Sequence, residues 1–213
     1  MRLQFDEQLN ELNRELIIMG SFCEKAISMS CEALTKGRTE LAKEVPKLSE
    51  QIDEKEREIE GMCMKLLLQQ QPVAKDLRVI SSALKIVTDM ERIGRQSADI
   101  AEIITLANIS ANNDTFNIDI MAETVIKMVT ESIDAFVKKD DVIAAKVIDY
   151  DDVVDECFDK IKASLIKQFS NPELDGEYAI DLLMIAKYFE RIGDHAVNIA
   201  KWVLFSITGI LEG

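Results

Sequence analysis

The apolar positions of the chain fall into long helical stripes. Phe5, Leu9, Leu12, Leu16, Met19, Cys23 and Ala26, continued by Ser30 and Ala33, alternate spacings of four and three, which lays one face along a single helix. After Gly37 the alternation restarts with Leu41, Val45, Leu48, Ile52, Lys55, Ile59, Met62 and Leu66. After Gln71-Pro72 it restarts again with Leu77, Ile80, Leu84 and Val87. Gly37 and Pro72 punctuate these helices. Pro46 conflicts with the second stripe, because it removes a backbone donor and crowds the preceding turn; helix two either begins near it or bends there.

From Asn108 to Asn117 periodicity is lost and turn formers cluster, which predicts a linker between two halves. The halves resemble each other. Glu91-Arg92-Ile93-Gly94 returns as Glu190-Arg191-Ile192-Gly193, 99 residues later. In the middle helices Ala33, Lys36, Ala42, Val45, Asp53, Glu54 and Ile59 return as Ala135, Lys138, Ala144, Val147, Asp155, Glu156 and Ile161, 102 residues later. The difference places a shorter connection between the second and third helices of the second half. The expected fold is all-α: two tandem three-helix bundles related by internal pseudo-symmetry, with residues 1–108 as the first repeat, 109–117 as the linker and 118–213 as the second repeat. A coiled-coil dimer is the rival arrangement. The short breaks at Gly37 and at Lys138 to Asp141 favour antiparallel hairpins within one chain.

Composition agrees with long helices, since 213 residues carry only three prolines and eight glycines, with 47% hydrophobic content for a core. A net charge of −14 repels a phosphate backbone and argues against nucleic-acid binding. The N-terminus has no apolar run of signal-peptide character and no stretch approaches the ~20 apolar residues of a membrane span, so a cytoplasmic protein is expected. Cys23, Cys31, Cys63 and Cys157 form no Cys-x-x-Cys pair and read as core residues. The run Trp202, Val203, Leu204, Phe205, Ile207, Ile210, Leu211 exceeds what one seam buries, and part of it is expected to meet a second copy or a partner.

Candidate chemistry lies where the stripes carry acids. Extending the third helix past Val87 puts Glu91, Gly94, Ala98 and Ala101 in the seam, and its copy puts Leu183, Ala186, Glu190, Gly193, Val197 and Ala200 there. Asp194 follows Glu190 by one turn. On the fifth helix Asp151 and Asp155 sit beside the seam, again four apart. Two such pairs on neighbouring helices offer up to eight oxygens, suited to hard cations such as Mn, Mg, Ca or ferric iron. The competing reading pairs each acid with Arg191, Lys187 or Lys160 on a wet helix face. Gly193, lacking a side chain, would let the two backbones approach.

His195, the only histidine, is either a ligand or an ordinary surface residue. A ferritin-like di-iron site needs Glu-x-x-His twice, and the residue three before His195 is Ile192. No phosphate-binding glycine loop, Gly-x-Ser-x-Gly or Cys/His nucleophile pair is present, so no catalytic constellation is found.

The Glu-Arg-Ile-Gly-Asp run at 190 to 194, its partial copy Glu-Arg-Ile-Gly-Arg at 91 to 95, the segment Gln71-Pro72-Val73-Ala74-Lys75-Asp76-Leu77-Arg78 and the repeated helix pattern together resemble the PhoU family over nearly the whole chain. The resemblance implies a cytoplasmic, often dimeric, negative regulator of the phosphate regulon. It would contact the phosphate transporter ATPase subunit and the phosphate-sensing histidine kinase, and reach the membrane only through these partners. It also implies metal ions, an iron or other cluster, on Glu/Asp-x-x-x-Asp pairs. Asp151, Asp155, Glu190 and Asp194 match those pairs in full. The first repeat departs: the equivalent positions hold Ser49, Asp53, Glu91 and Arg95, which leaves Asp53 and Glu91, with Asp89, Glu50 and Asp99 as nearby acids. The alternative function is a structural metal-binding helical interaction module with no phosphate role.

Overall fold

In the computed structural model, residues 2–69, 72–109, 118–168 and 176–210 are described, and among them every regular element is a helix. The first repeat comprises α1 (Arg2–Thr35), α2 (Thr39–Ala42), α3 (Val45–Gln69) and α4 (Ala74–Ala107). The second comprises α5 (Ile118–Lys138), α6 (Asp141–Asp149), α7 (Asp151–Gln168) and α8 (Gly176–Thr208). The expected all-α fold and its duplication are therefore present. Where the pattern predicted one middle helix per repeat, the structure has two segments, α2 with α3 and α6 with α7.

Pro46 accounts for the first break. It lies in the opening turn of α3, where a missing N–H costs little, and α2 forms a separate short turn before it. Both readings of Pro46 are thus partly right. The second break, at Tyr150, has no proline. Tyr150 keeps a right-handed helical conformation and its N–H reaches the carbonyls of Ile148 and Val147. Gly37, at φ 65, ends α1 as expected. The expected linker lies outside the described residues from 110 onward. Asn108 closes α4 in the left-handed region, its N–H on the Ile104 carbonyl, and Ile109 is buried.

The two bundles share one core. α1 runs parallel to α4, with buried Cys23 and Ser30 donating to the carbonyls of Met90 and Ser97 at 3.4 and 3.0 Å. α5 packs on α1, and Thr130 donates to Glu24 across that contact at 2.8 Å. The most extensive contact joins the repeats through α4 and α8, which run antiparallel: Arg78 touches Gly209, Lys85 lies over the Trp202 ring, and Asp89 meets His195. α1, α4, α8 and α5 therefore form a central ring, with α2 and α3 flanking one side and α6 and α7 the other.

This joint packing explains where the stripes mislead. Leu77, placed in a seam by periodicity, is 44% exposed, while Ile86, Met90, Ile93, Ile100 and Ile104 on another side of α4 are buried. α8 is likewise buried at Leu182, Ile185, Phe189, Ile192 and Ile199. A helix shared by two bundles buries two faces. Lys55, a charged residue within a seam, is satisfied by Glu15 of α1 and by Glu58. Cys23, Cys63 and Cys157 are buried as expected, and burial pushes the Cys63 thiol up to about 12. Of the C-terminal run Val203 is core, Trp202 and Leu204 pack partly against it, Ile210 is 67% exposed, and Leu211 lies outside the described residues.

Candidate metal centre

The break at Tyr150 makes Asp151 the first residue of α7, and Asp155 follows one turn later. Facing them on α8 are Glu190 and Asp194, also a turn apart, with Gly193 between. Gly193 does what its position suggested: a Cβ there would meet Val154 at 3.3 Å and Asp151 Oδ1 at 3.7 Å. The tight contact would be with Val154, while the Asp151 carboxylate lies at ordinary contact distance. Asp151 is half-buried, Glu190 keeps 15% of its side chain exposed, and Asp155 and Asp194 lie at the solvent edge.

The electrostatics show that the four acids form one cluster. Burial first, then Asp155, Asp194, Glu190 and Asp152, push the Asp151 carboxyl up to about 6. Asp194 is raised by loss of water at its carboxyl end and then by Glu190, against the opposing pull of Lys187 and His195. Lys187 Nζ stands 2.5 Å from Glu190 Oε2 as its ion-pair partner. Of the cations proposed as partners, Lys187 alone engages the cluster; Lys160 pairs with Glu156, and Arg191 faces Asp99 across the repeat boundary.

The first repeat brings Asp53 of α3 and Glu91 of α4 together, and adds an acid that sequence comparison missed. Glu56 is raised by burial and then by Glu91, Glu60 and Asp53, with Arg95 opposing. Its signal was its place three residues after Asp53, on the same side of the helix. Glu91 is buried and raised by burial; Arg95 opposes this as its ion-pair partner, while Asp53 reinforces it. Asp53 Oδ1 is buried without a hydrogen bond, and Glu91 Oε1 is the oxygen that the Arg95 guanidinium meets. Ser49 is buried in the place that Asp151 holds in the copy.

None of the suggested compensating acids joins Asp53 and Glu91 in the way Glu56 does. Glu50 is exposed. Asp99 lies beside Glu102 and Arg191. Asp89 turns to the second repeat, its Oδ1 2.9 Å from His195 Nδ1, with the two side chains 9% and 12% exposed. His195 is thus no free surface residue: it bridges α4 and α8. Local spacing gave no sign of a contact between residues 106 positions apart.

As they stand, no three His, Cys, Asp or Glu side chains among the described residues close around a single point. The second cluster nonetheless fits a hard cation in its chemistry: four carboxylates against one lysine, with Gly193 leaving room beside the Asp151 carboxylate. Among the described residues no helix is long and apolar enough to cross a membrane.

The family model described as the PhoU domain matches residues 16–104 and 118–203. The chain is 37% identical over 207 residues to the phosphate-specific transport system accessory protein PhoU homolog of Clostridium acetobutylicum, covering 96% of this chain and 94% of that one. It is 36% identical over 186 residues to the homolog from Aquifex aeolicus, covering 87% and 84%. The crystal structure of PhoU from Pseudomonas aeruginosa superposes with a TM-score of 0.89 at 31% identity, over 97% of this chain and 100% of that one. The phosphate transport system regulatory protein PhoU from Streptococcus pneumoniae shares the fold with a TM-score of 0.90 at 23% identity, over 98% and 99%.

Proposed function

This chain belongs to the PhoU family, and on that premise we propose that it is a negative regulator of phosphate uptake and phosphate-regulon signalling. The observation that carries the reading is end-to-end similarity to a phosphate-specific transport accessory protein, with both repeats matched and neither chain having a large unmatched part. The protein acts without catalysis, as a cytoplasmic adaptor between the phosphate transporter ATPase subunit and the phosphate-sensing histidine kinase, and works as a homodimer. Its net charge of −14 disfavours direct contact with DNA, so its effect on genes passes through these proteins.

Within this role Asp151, Asp155, Glu190 and Asp194 hold a hard di- or trivalent cation. Such an ion would balance four negative charges and tie the start of α7 to α8. In the first repeat Asp53 and Glu91, with Glu56, are balanced in part by Arg95 and bind metal less well.

The regulatory reading is tested by deleting the protein from its host and measuring transcripts in phosphate-rich medium. Derepression of the high-affinity phosphate transporter is expected. Unchanged expression, in a host with no second family member, would overturn the reading.

A further inference from the structure

The central ring does not close completely at the end where α1 begins and α8 finishes. A cavity of about 130 Å³ remains, walled by Leu9 of α1, Val79 of α4, Phe136 of α5 and Ile207 of α8. Each central helix, and so each repeat, contributes a wall. Lys75 from the first turn of α4 and Lys139 from just beyond α5 also line it, together with the Asn13 amide and the Ser206 hydroxyl. That hydroxyl is already committed to the Val203 carbonyl, at 2.7 Å.

Eight lysines form ion pairs among the described residues; Lys75 and Lys139 belong to the remainder. Lys36, Lys47, Lys138, Lys160, Lys162 and Lys187 each pair with an acid three or four residues away. Among the described residues neither Lys75 nor Lys139 has an acidic partner within ion-pairing distance, in a chain with 39 acids to 25 Lys and Arg. Lys139 sits at φ 56 because it caps the end of α5, where the Asp140 N–H donates to the Ala135 carbonyl at 2.9 Å. Interiors pack with few voids larger than a water, and two long cationic side chains border this one.

We propose that this cavity is a binding site for a short aliphatic carboxylate, its tail among Leu9, Val79, Phe136 and Ile207 and its head between the ammonium groups of Lys75 and Lys139. The volume sets the tail at about five or six carbons, since an apolar cavity of about 150 Å³ holds a benzene ring. Because the walls come from both repeats, an occupant clamps them together and raises the unfolding temperature of the whole chain. The site shares no residue with the carboxylate clusters and makes no use of them.

The test is titration of the full chain with hexanoate, followed by amide chemical shifts and by thermal unfolding, with hexanol and inorganic phosphate as comparison probes. Saturable shifts around Val79 and Ile207 are expected, with affinity for hexanol and phosphate at least about tenfold weaker. Lys75→Ala combined with Lys139→Ala, two exposed positions, weakens hexanoate by about tenfold or more and keeps the helical signal. Val79→Phe fills the cavity and abolishes binding. Equal affinity for hexanol and hexanoate, equal affinity for phosphate, no saturation at millimolar hexanoate, or undiminished binding in the double lysine variant would each overturn the assignment.

Discussion

Between α7 and α8 four carboxylates face one lysine, whereas between α3 and α4 three carboxylates face an arginine. The helix pairs are otherwise built alike. Each keeps a glutamate in the seam, Glu91 or Glu190, and a glycine three residues later at the point of closest approach. The change falls at the solvent edge, where Asp194 is replaced by Arg95, and at one inner position, where Asp151 is replaced by Ser49. Packing constrains the seam, because a Cβ on the glycine would collide with Ile52 in the first repeat and press on Val154 in the second. An edge position that touches water can change sign at little cost to the fold. The two repeats thus share an architecture and differ in how negative charge is balanced: by a guanidinium in the first, and in our proposal by a metal ion in the second.

The largest effect on stability is expected at the glycines. A Cβ added at Gly94 would meet Ile52 at 2.8 Å, whereas one added at Gly193 would meet Val154 at 3.3 Å. Gly94→Val should therefore cost about 2 to 3 kcal/mol, and Gly193→Val about 1, part of the strain being offset by better helix propensity. Urea unfolding midpoints measure both. Equal losses would mean that the two interfaces are equally tight.

A smaller effect separates the two cations. Arg95→Ala leaves Asp53, Glu56 and Glu91 mutually repelling and should destabilise the metal-free protein by about 0.5 to 1 kcal/mol, a modest figure because the guanidinium is 66% exposed. Added Mn²⁺ should restore little of that loss. Lys187→Ala should destabilise by a similar amount and be restored by Mn²⁺, because the second cluster takes the ion as its counter-charge. Restoration of both variants to the same extent would erase the distinction between the repeats.

The smallest effect is in the pH dependence without metal. Asp151 in the folded chain titrates near 6, above its ordinary 3.8, so the folded state holds this proton more tightly than the unfolded one. Its contribution to stability is full below about 3.8 and is lost as pH rises through about 6. Asp151→Asn should remove that decline, leaving a variant whose unfolding temperature exceeds wild type at pH 7.5 by a few degrees in chelator. A variant as pH-dependent as wild type between pH 4 and 7 would show that Asp151 is not the group responsible.

Much of the fold was legible because helical periodicity and an internal copy are properties of the chain itself. The stripe from Phe5 to Ala33 falls on a buried face almost residue for residue. What could not be read was the docking of one bundle on the other, which buries a second face of α4 and α8 and leaves Leu77 exposed. Periodicity reports that a face is apolar and is silent on which helix covers it. The same limit hid the Asp89 to His195 bridge, a contact made only by the antiparallel approach of α4 and α8. Glu56 escaped for another reason: the repeats were compared position by position, and the second repeat has Phe158 at the equivalent place. The break at Tyr150 carries none of the signals that Pro46 gave for the first.

The most direct test of the contrast between the repeats is elemental analysis of protein purified without chelator or a metal-affinity tag. Wild type is compared with Asp155→Asn combined with Asp194→Asn, and with Asp53→Asn combined with Glu91→Gln. The second-repeat variant should lose most of its bound metal while the first-repeat variant keeps it. Equal loss from the two variants, or loss confined to the first-repeat variant, would contradict the assignment of the metal to the second repeat.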